Sequence, residues 1–128
     1  MCSSDLGGTG EDILLGDAGA DTIRGRGGDD EARGGSGRDT VRGGPGGDRL
    51  YGDAGADRLD GGTGADRLFP QAGADRVTAG PGADRVSAAD GTRDRIACGS
   101  GTDTAVLDRR DRASSCERRR SRSVRSRR

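Results

Sequence analysis

The sequence predicts an all-β fold, a parallel β-roll of about eleven nine-residue units, and three observations predict it. Aspartate recurs every nine residues at Asp12, Asp21, Asp30, Asp39, Asp48, Asp57, Asp66, Asp75 and Asp84 without a slip. A glycine stands two residues before each of them. A mostly branched aliphatic residue stands two residues after, in the column Leu14, Ile23, Ala32, Val41, Leu50, Leu59, Leu68, Val77, Val86, Ile96 and Ala105. Each unit reads G-G-x-G-x-D-x-U-x, where U is apolar.

The units GGTGEDILL, GDAGADTIR, GRGGDDEAR, GGSGRDTVR, GGPGGDRLY, GDAGADRLD and GGTGADRLF run unbroken over residues 7–69. PQAGADRVT and AGPGADRVS follow, with Pro70 and Ala79 in place of the first glycine. AADGTRDRIA, residues 88–97, holds one extra residue, so its aspartate is Asp94, and CGSGTDTAV places Asp103 in register. A D-x-U-x segment suits a very short strand with one side chain pointing inward. Helix is disfavoured, because each glycine costs about 1 kcal/mol relative to alanine. The fourth-position glycine persists in every unit from Gly10 to Gly101, which predicts a positive φ or a backbone packed too closely for a Cβ. The organisation expected is a truncated or artificial N-terminal stub over 1–6, a roll over 7–106, and a capping segment with a disordered basic tail over 107–128.

Composition narrows the chemistry. The chain has 26 glycines in 128 residues, 28% hydrophobic and 2% aromatic content, which leaves too little for an ordinary globular core. It has no histidine and no lysine, which removes Ser/His/Asp and Cys/His catalytic arrangements, imidazole zinc sites and the lysine of a phosphate-binding loop. No enzyme activity is expected. The net charge of zero divides unevenly: residues 1–108 carry 20 acidic groups against 12 arginines, and residues 109–128 carry 10 arginines against Asp111 and Glu117. No segment approaches the roughly 20 apolar residues of a membrane-spanning helix. The opening MCSSDL lacks the charged and apolar regions of a secretory signal.

The repeat chemistry points to a hard cation. Calcium takes about 6 to 8 oxygen ligands from carboxylates and backbone carbonyls. Each unit offers one carboxylate and a glycine-rich turn with carbonyls free to converge. If two units make one turn of the roll, units n and n+2 stack about 4.8 Å apart and an ion between them can draw an aspartate from each. Two rows result: Asp12, Asp30, Asp48, Asp66 and Asp84 in one, Asp21, Asp39, Asp57 and Asp75 in the other. The backbone ligands expected are the turns that begin at Gly7, Gly16, Gly25, Gly34, Gly43, Gly52 and Gly61. Eleven small aliphatics bury too little surface to offset the ordering of so long a chain, and stacked aspartates repel one another. A chain that is disordered without calcium and folds on binding it is therefore expected.

Residues 7–106 resemble the hemolysin-type calcium-binding repeats of the RTX (repeats-in-toxin) family, found in secreted bacterial proteins. The resemblance implies a right-handed parallel β-roll with rows of calcium ions between turns, in a secreted, extracellular, noncatalytic module. A second reading makes the chain the repeat fragment of a larger secreted protease, lipase or toxin. The pattern departs at Pro70, Gln71, Ala79, Ala88 and the extra residue, and Asp94 and Asp103 are expected to serve a terminal cap rather than a calcium site. Cys98 and Cys116 flank the terminal unit. Capped arrays in the family suggest a disulfide between them, and two free thiols are the alternative; Cys2 is given no role.

Lesser signals have simple readings. Asp17 and Asp53 suit turn positions, with a role as extra calcium ligands as the alternative. Arg49, Arg58, Arg67, Arg76, Arg85 and Arg95 follow repeat aspartates and should form an outward ladder that balances charge, or an anion-binding stripe. The tail from Arg118 to Arg128 has the charge for phosphate contacts but no aromatic side chains for base stacking, so no nucleic acid partner is expected.

Overall fold

A computed structural model describes residues 4–6, 10–88, 92–107, 111–116 and 118–121. In chain order the strands are β1 (Ser4–Leu6), β2 (Ile13–Leu15), β3 (Thr22–Arg24), β4 (Glu31–Arg33), β5 (Thr40–Arg42), β6 (Arg49–Tyr51) and β7 (Arg58–Asp60). They continue with β8 (Arg67–Phe69), β9 (Arg76–Thr78), β10 (Arg85–Ser87), β11 (Arg95–Ala97), β12 (Thr104–Leu107), β13 (Arg112–Ser114) and β14 (Arg118–Ser121). The odd-numbered strands form one seven-stranded parallel sheet and the even-numbered strands the other. Strand n pairs with strand n+2, so the chain alternates between sheets and two units complete a turn.

The register follows the nine-residue comb. Ile23 pairs with Val41 and Val41 with Leu59 in the odd sheet; Leu14 pairs with Ala32, then Leu50 and Leu68, in the even sheet. An offset of 18 residues holds until the extra residue of the 88–97 unit stretches it to 19, as in Arg76↔Arg95 and Arg85↔Thr104. The aliphatic column meets between the two sheets and is buried from Ile23 to Ala105, with Leu14 partly buried at one end.

Fourteen strands exceed the eleven units expected. The additional ones are β1, β13 and β14, which extend the two sheets past residues 7–106. The basic tail, expected to be disordered, contributes Arg118–Ser121 as β14 against β12. A parallel edge strand exposes unpaired N–H and C=O groups, and a following segment can satisfy them whatever its side chains. The remaining tail, residues 122–128, lies outside the described residues, as does Cys2.

Turn geometry explains the glycine columns. Gly37, at the fourth position, has φ 106°, and a Cβ there would run into the carbonyl oxygen of Gly19 one turn away. The second position is left-handed even without glycine: Asp17, Asp53 and Gln71 have φ of 70°, 64° and 64°. Asp53 accepts a hydrogen bond from the Gly35 N–H at 3.1 Å, which ties it to the backbone 18 residues earlier, one turn of the roll away.

Candidate metal centre

The strand alternation fixes where the aspartates point. Side chains two residues apart share a face of a strand. The aspartate stands two residues before the buried aliphatic, so it points inward, and so does the first residue of the next unit, two residues after. Asp21, Asp30, Asp39, Asp48, Asp57, Asp66, Asp75, Asp84, Asp94 and Asp103 are all 2% exposed or less. The roll interior therefore holds three columns: aspartate, aliphatic and a small residue. The Asp-x-U spacing carried this information, but reading the aspartates only as turn ligands missed it.

The two expected rows are present and longer than expected. Backbone N–H groups link each carboxylate to the aspartate one turn earlier. The Asp12 N–H donates to Asp30 Oδ1 at 2.9 Å, Asp30 to Asp48 at 2.9 Å, Asp48 to Asp66 at 2.9 Å, Asp66 to Asp84 at 2.8 Å and Asp84 to Asp103 at 2.9 Å. In the other row Asp21 donates to Asp39, Asp39 to Asp57, Asp57 to Asp75, Asp75 to Asp94 and Asp94 to Asp111. Asp111 was not anticipated. The spacing of Asp111-Arg112-Ala113-Ser114 repeats D-R-U-x with one residue deleted, a signal hidden by the change of composition at the tail.

Asp30, Asp39, Asp48, Asp57, Asp66, Asp84 and Asp103 thus each have Oδ1 satisfied by a backbone N–H and an Oδ2 that accepts no hydrogen bond. A buried polar atom without a partner carries a cost of about 1 to 3 kcal/mol, more if charged. Burial pushes the Asp57 and Asp66 carboxyls up to about 7 and those of Asp48 and Asp84 up to about 6. It also raises Asp30 and Asp39. Carboxylates one turn away add to the rise, and the backbone N–H bonds oppose it.

Glycine carbonyls face the same oxygens. A Cβ placed on Gly16 would lie 2.7 Å from Asp21 Oδ2 and 2.5 Å from the Gly34 carbonyl oxygen. On Gly34 it would lie 2.7 Å from Asp39 Oδ2 and 3.0 Å from the Gly52 carbonyl oxygen. The same pairing of a carboxylate with a next-turn carbonyl recurs at Gly25, Gly43, Gly52 and Gly61. The backbone thus brings electron-rich oxygens of the carboxylate and the next turn so close together that no Cβ fits between them. Gly7 lies outside the described residues. Among the described residues no three acidic or thiol side chains cluster as a ready-made metal site, so a cation here would draw on backbone oxygens as well as carboxylates.

The family comparison agrees with this chemistry. The family described as RTX calcium-binding nonapeptide repeat (4 copies) matches residues 6–41, 33–68 and 71–94, more than half of the chain. The chain belongs to the RTX calcium-binding repeat family. Curated proteins gave no match. An all-oxygen donor set of carboxylates and carbonyls is what calcium prefers, so the residues of this RTX chain fit the ion that its family binds.

The C-terminal units differ at the first position. Pro70, Ala79, Ala88 and Cys98 replace the glycine and are buried, so they carry a Cβ at the position that Gly16 to Gly61 leave without one. Cys98 and Cys116 are joined as a disulfide, with Cα atoms 5.0 Å apart and a sequence separation of 18. The bridge ties the last turns of this RTX roll together beside the strand β13.

Proposed function

We propose that this chain is a noncatalytic calcium-binding module of a secreted bacterial protein, and that it folds on binding calcium outside the cell. The observation that carries the reading is the double row of buried aspartates, in which the Oδ2 atoms of Asp30, Asp48, Asp66 and Asp84 in one row and of Asp39 and Asp57 in the other accept no hydrogen bond. Asp12, Asp21, Asp30, Asp39, Asp48, Asp57 and Asp66 would hold the ions, with turn carbonyls from Gly16, Gly25, Gly34, Gly43, Gly52 and Gly61. Asp75 and Asp84 extend the two rows next to Pro70 and Ala79. Bound calcium supplies positive charge that offsets the carboxylates, which otherwise remain in a desolvated, mutually repelling stack.

The chain does the rest. Glycine at the first position lets a carbonyl of the next turn approach the carboxylate closely. Strand pairing one turn on repeats the arrangement, so each ion bound makes the next turn easier to order. Weak extracellular calcium modules bind at about 10⁻⁴ to 10⁻³ M. That range keeps the chain unfolded at intracellular calcium and folded outside.

Circular dichroism during a calcium titration, with calorimetry in parallel, tests this reading. The expected result is little strand signal in excess chelator and a cooperative gain as calcium rises to about millimolar. Full strand signal in chelator, or no heat of binding, would overturn it.

A further inference from the structure

The outer face of the even sheet carries a row of rings and guanidinium groups. At the third strand position, Arg33, Tyr51 and Phe69 stand in register. The Arg33 guanidinium carbon lies 4.3 Å from the Tyr51 ring centroid, and Tyr51 stacks on Phe69 with centroids 4.8 Å apart and planes 11° from parallel. The stack then stops. On β10 the corresponding residue is Ser87, exposed and too short to cover the far face of Phe69, and on β12 it is Val106.

A groove of about 470 Å³ opens at this gap. Phe69 closes one end, Ser87 and Val106 lie along it, and Arg67, Arg85 and Thr104 line the other side. Arg67 and Arg85 are exposed and in register on adjacent strands. No carboxylate among the described residues forms an ion pair with either, the one such pair described being Arg33 with Glu31. The aspartates next to them in sequence, Asp66 and Asp84, point into the roll. The groove therefore offers one free aromatic face, two uncommitted arginines on adjacent strands about 4.8 Å apart and a pair of hydroxyls.

We propose that this groove seats an acidic polysaccharide, one sugar ring packing on Phe69 while its anionic substituents engage Arg67 and Arg85. A sugar ring has an apolar face that suits an aromatic ring and hydroxyls that suit Ser87 and Thr104. A carboxylate or sulfate matches the planar fork of arginine. A single-stranded nucleic acid fits less well, because stacking of successive bases needs several free ring faces. Here the faces of Tyr51 are taken by Arg33 and Phe69, leaving one free ring face.

The test uses the whole chain in saturating calcium, with circular dichroism confirming the fold of every variant. Calorimetry compares a chondroitin sulfate oligosaccharide, which bears a carboxylate or sulfate on each ring, with neutral dextran of equal length and with oligo-dT. Chondroitin sulfate is expected to bind, with dextran and oligo-dT at least tenfold weaker. Replacing both arginines, Arg67→Ala with Arg85→Ala, and separately Phe69→Leu, should each weaken binding about tenfold, equivalent to about 1.4 kcal/mol. Ser87→Phe should do the same by continuing the stack into the groove. Arg58→Ala with Arg76→Ala, on the other sheet, should change affinity less than about twofold. Equal loss from that pair would reduce the effect to general charge attraction and overturn the proposal. So would unchanged binding in both Ser87→Phe and Phe69→Leu, equal binding of dextran, or tighter binding of oligo-dT.

Discussion

The turns from Gly16 to Gly61 and those from Pro70 to Cys98 build the same strands with the same inward aspartate, yet they fill the space beside it differently. In the first group, no Cβ intervenes between the carboxylate and the next-turn carbonyl. In the second, Pro70, Ala79, Ala88 and Cys98 put carbon there, and Cys98 is tied to Cys116. The comparison teaches that one position of the nonapeptide selects between two ways of stabilising a thin roll. Glycine lets a carboxylate and a next-turn carbonyl approach closely, a pair of oxygens suited to a cation, whereas a small apolar residue adds a side chain to the interior and, at Cys98, a covalent staple.

Acidity makes the largest test of this division. Asp57 and Asp66 titrate near 7 and Asp48 and Asp84 near 6 in the folded chain, above the ordinary 3.8. A carboxyl that holds its proton more tightly when folded stabilises the fold below the unfolded value, and this contribution is lost as pH rises through 6 to 7. The calcium-free chain should therefore gain strand signal when acidified from pH 8 to pH 5, read by circular dichroism. Calcium affinity should fall over the same range, because protons and calcium compete for the same oxygens. An apo chain that loses structure on acidification would break the account of the buried rows.

Reducing the disulfide comes next. A bridge that closes a loop of this length is worth about 3 kcal/mol. Cys98→Ser should lower the stability of the calcium-bound chain by about that much in urea unfolding. The number of calcium ions bound should stay unchanged, since the turns from Gly16 to Gly61 lie elsewhere in the roll.

Exchanging the first-position residues sharpens the comparison directly. Gly34→Ala would bring a Cβ against Asp39 Oδ2 and the Gly52 carbonyl, and overpacking of this kind costs about 1 to 3 kcal/mol. Calorimetry should show the loss of at least one calcium ion. The converse Ala79→Gly has the smallest effect, about 1 kcal/mol from the removed methyl and the added chain freedom. If the first position governs that approach of oxygens, this variant should bind calcium with equal or greater stoichiometry. A loss of calcium from Ala79→Gly and none from Gly34→Ala would reverse the assignment.

Much of the fold was legible because the repeat leaves few choices. A period of nine with glycine at the fourth position and an aliphatic at the eighth fixes short strands, parallel stacking and an 18-residue turn, and the pairing of Ile23 with Val41 and of Val41 with Leu59 follows from that spacing alone. The rows of aspartates were also legible as rows. Asp111 and the strands β13 and β14 were not, because a deletion and a run of arginines disguise a register that backbone pairing tolerates.

What the sequence by itself determined is the repeat: its period, its inward aliphatic column, its two aspartate rows and the class of ion suited to them. The tertiary structure decided which atoms of those aspartates remain unsatisfied. Oδ1 is taken by an N–H 18 residues away and Oδ2 is sealed beside a carbonyl of the next turn, contacts that exist only once the turns stack. It also decided the outer surface, where Arg33, Tyr51 and Phe69, spaced two units apart along the chain, become neighbours about 4.8 Å apart. Local spacing can set which way a side chain points, but only stacking across a turn determines what it meets.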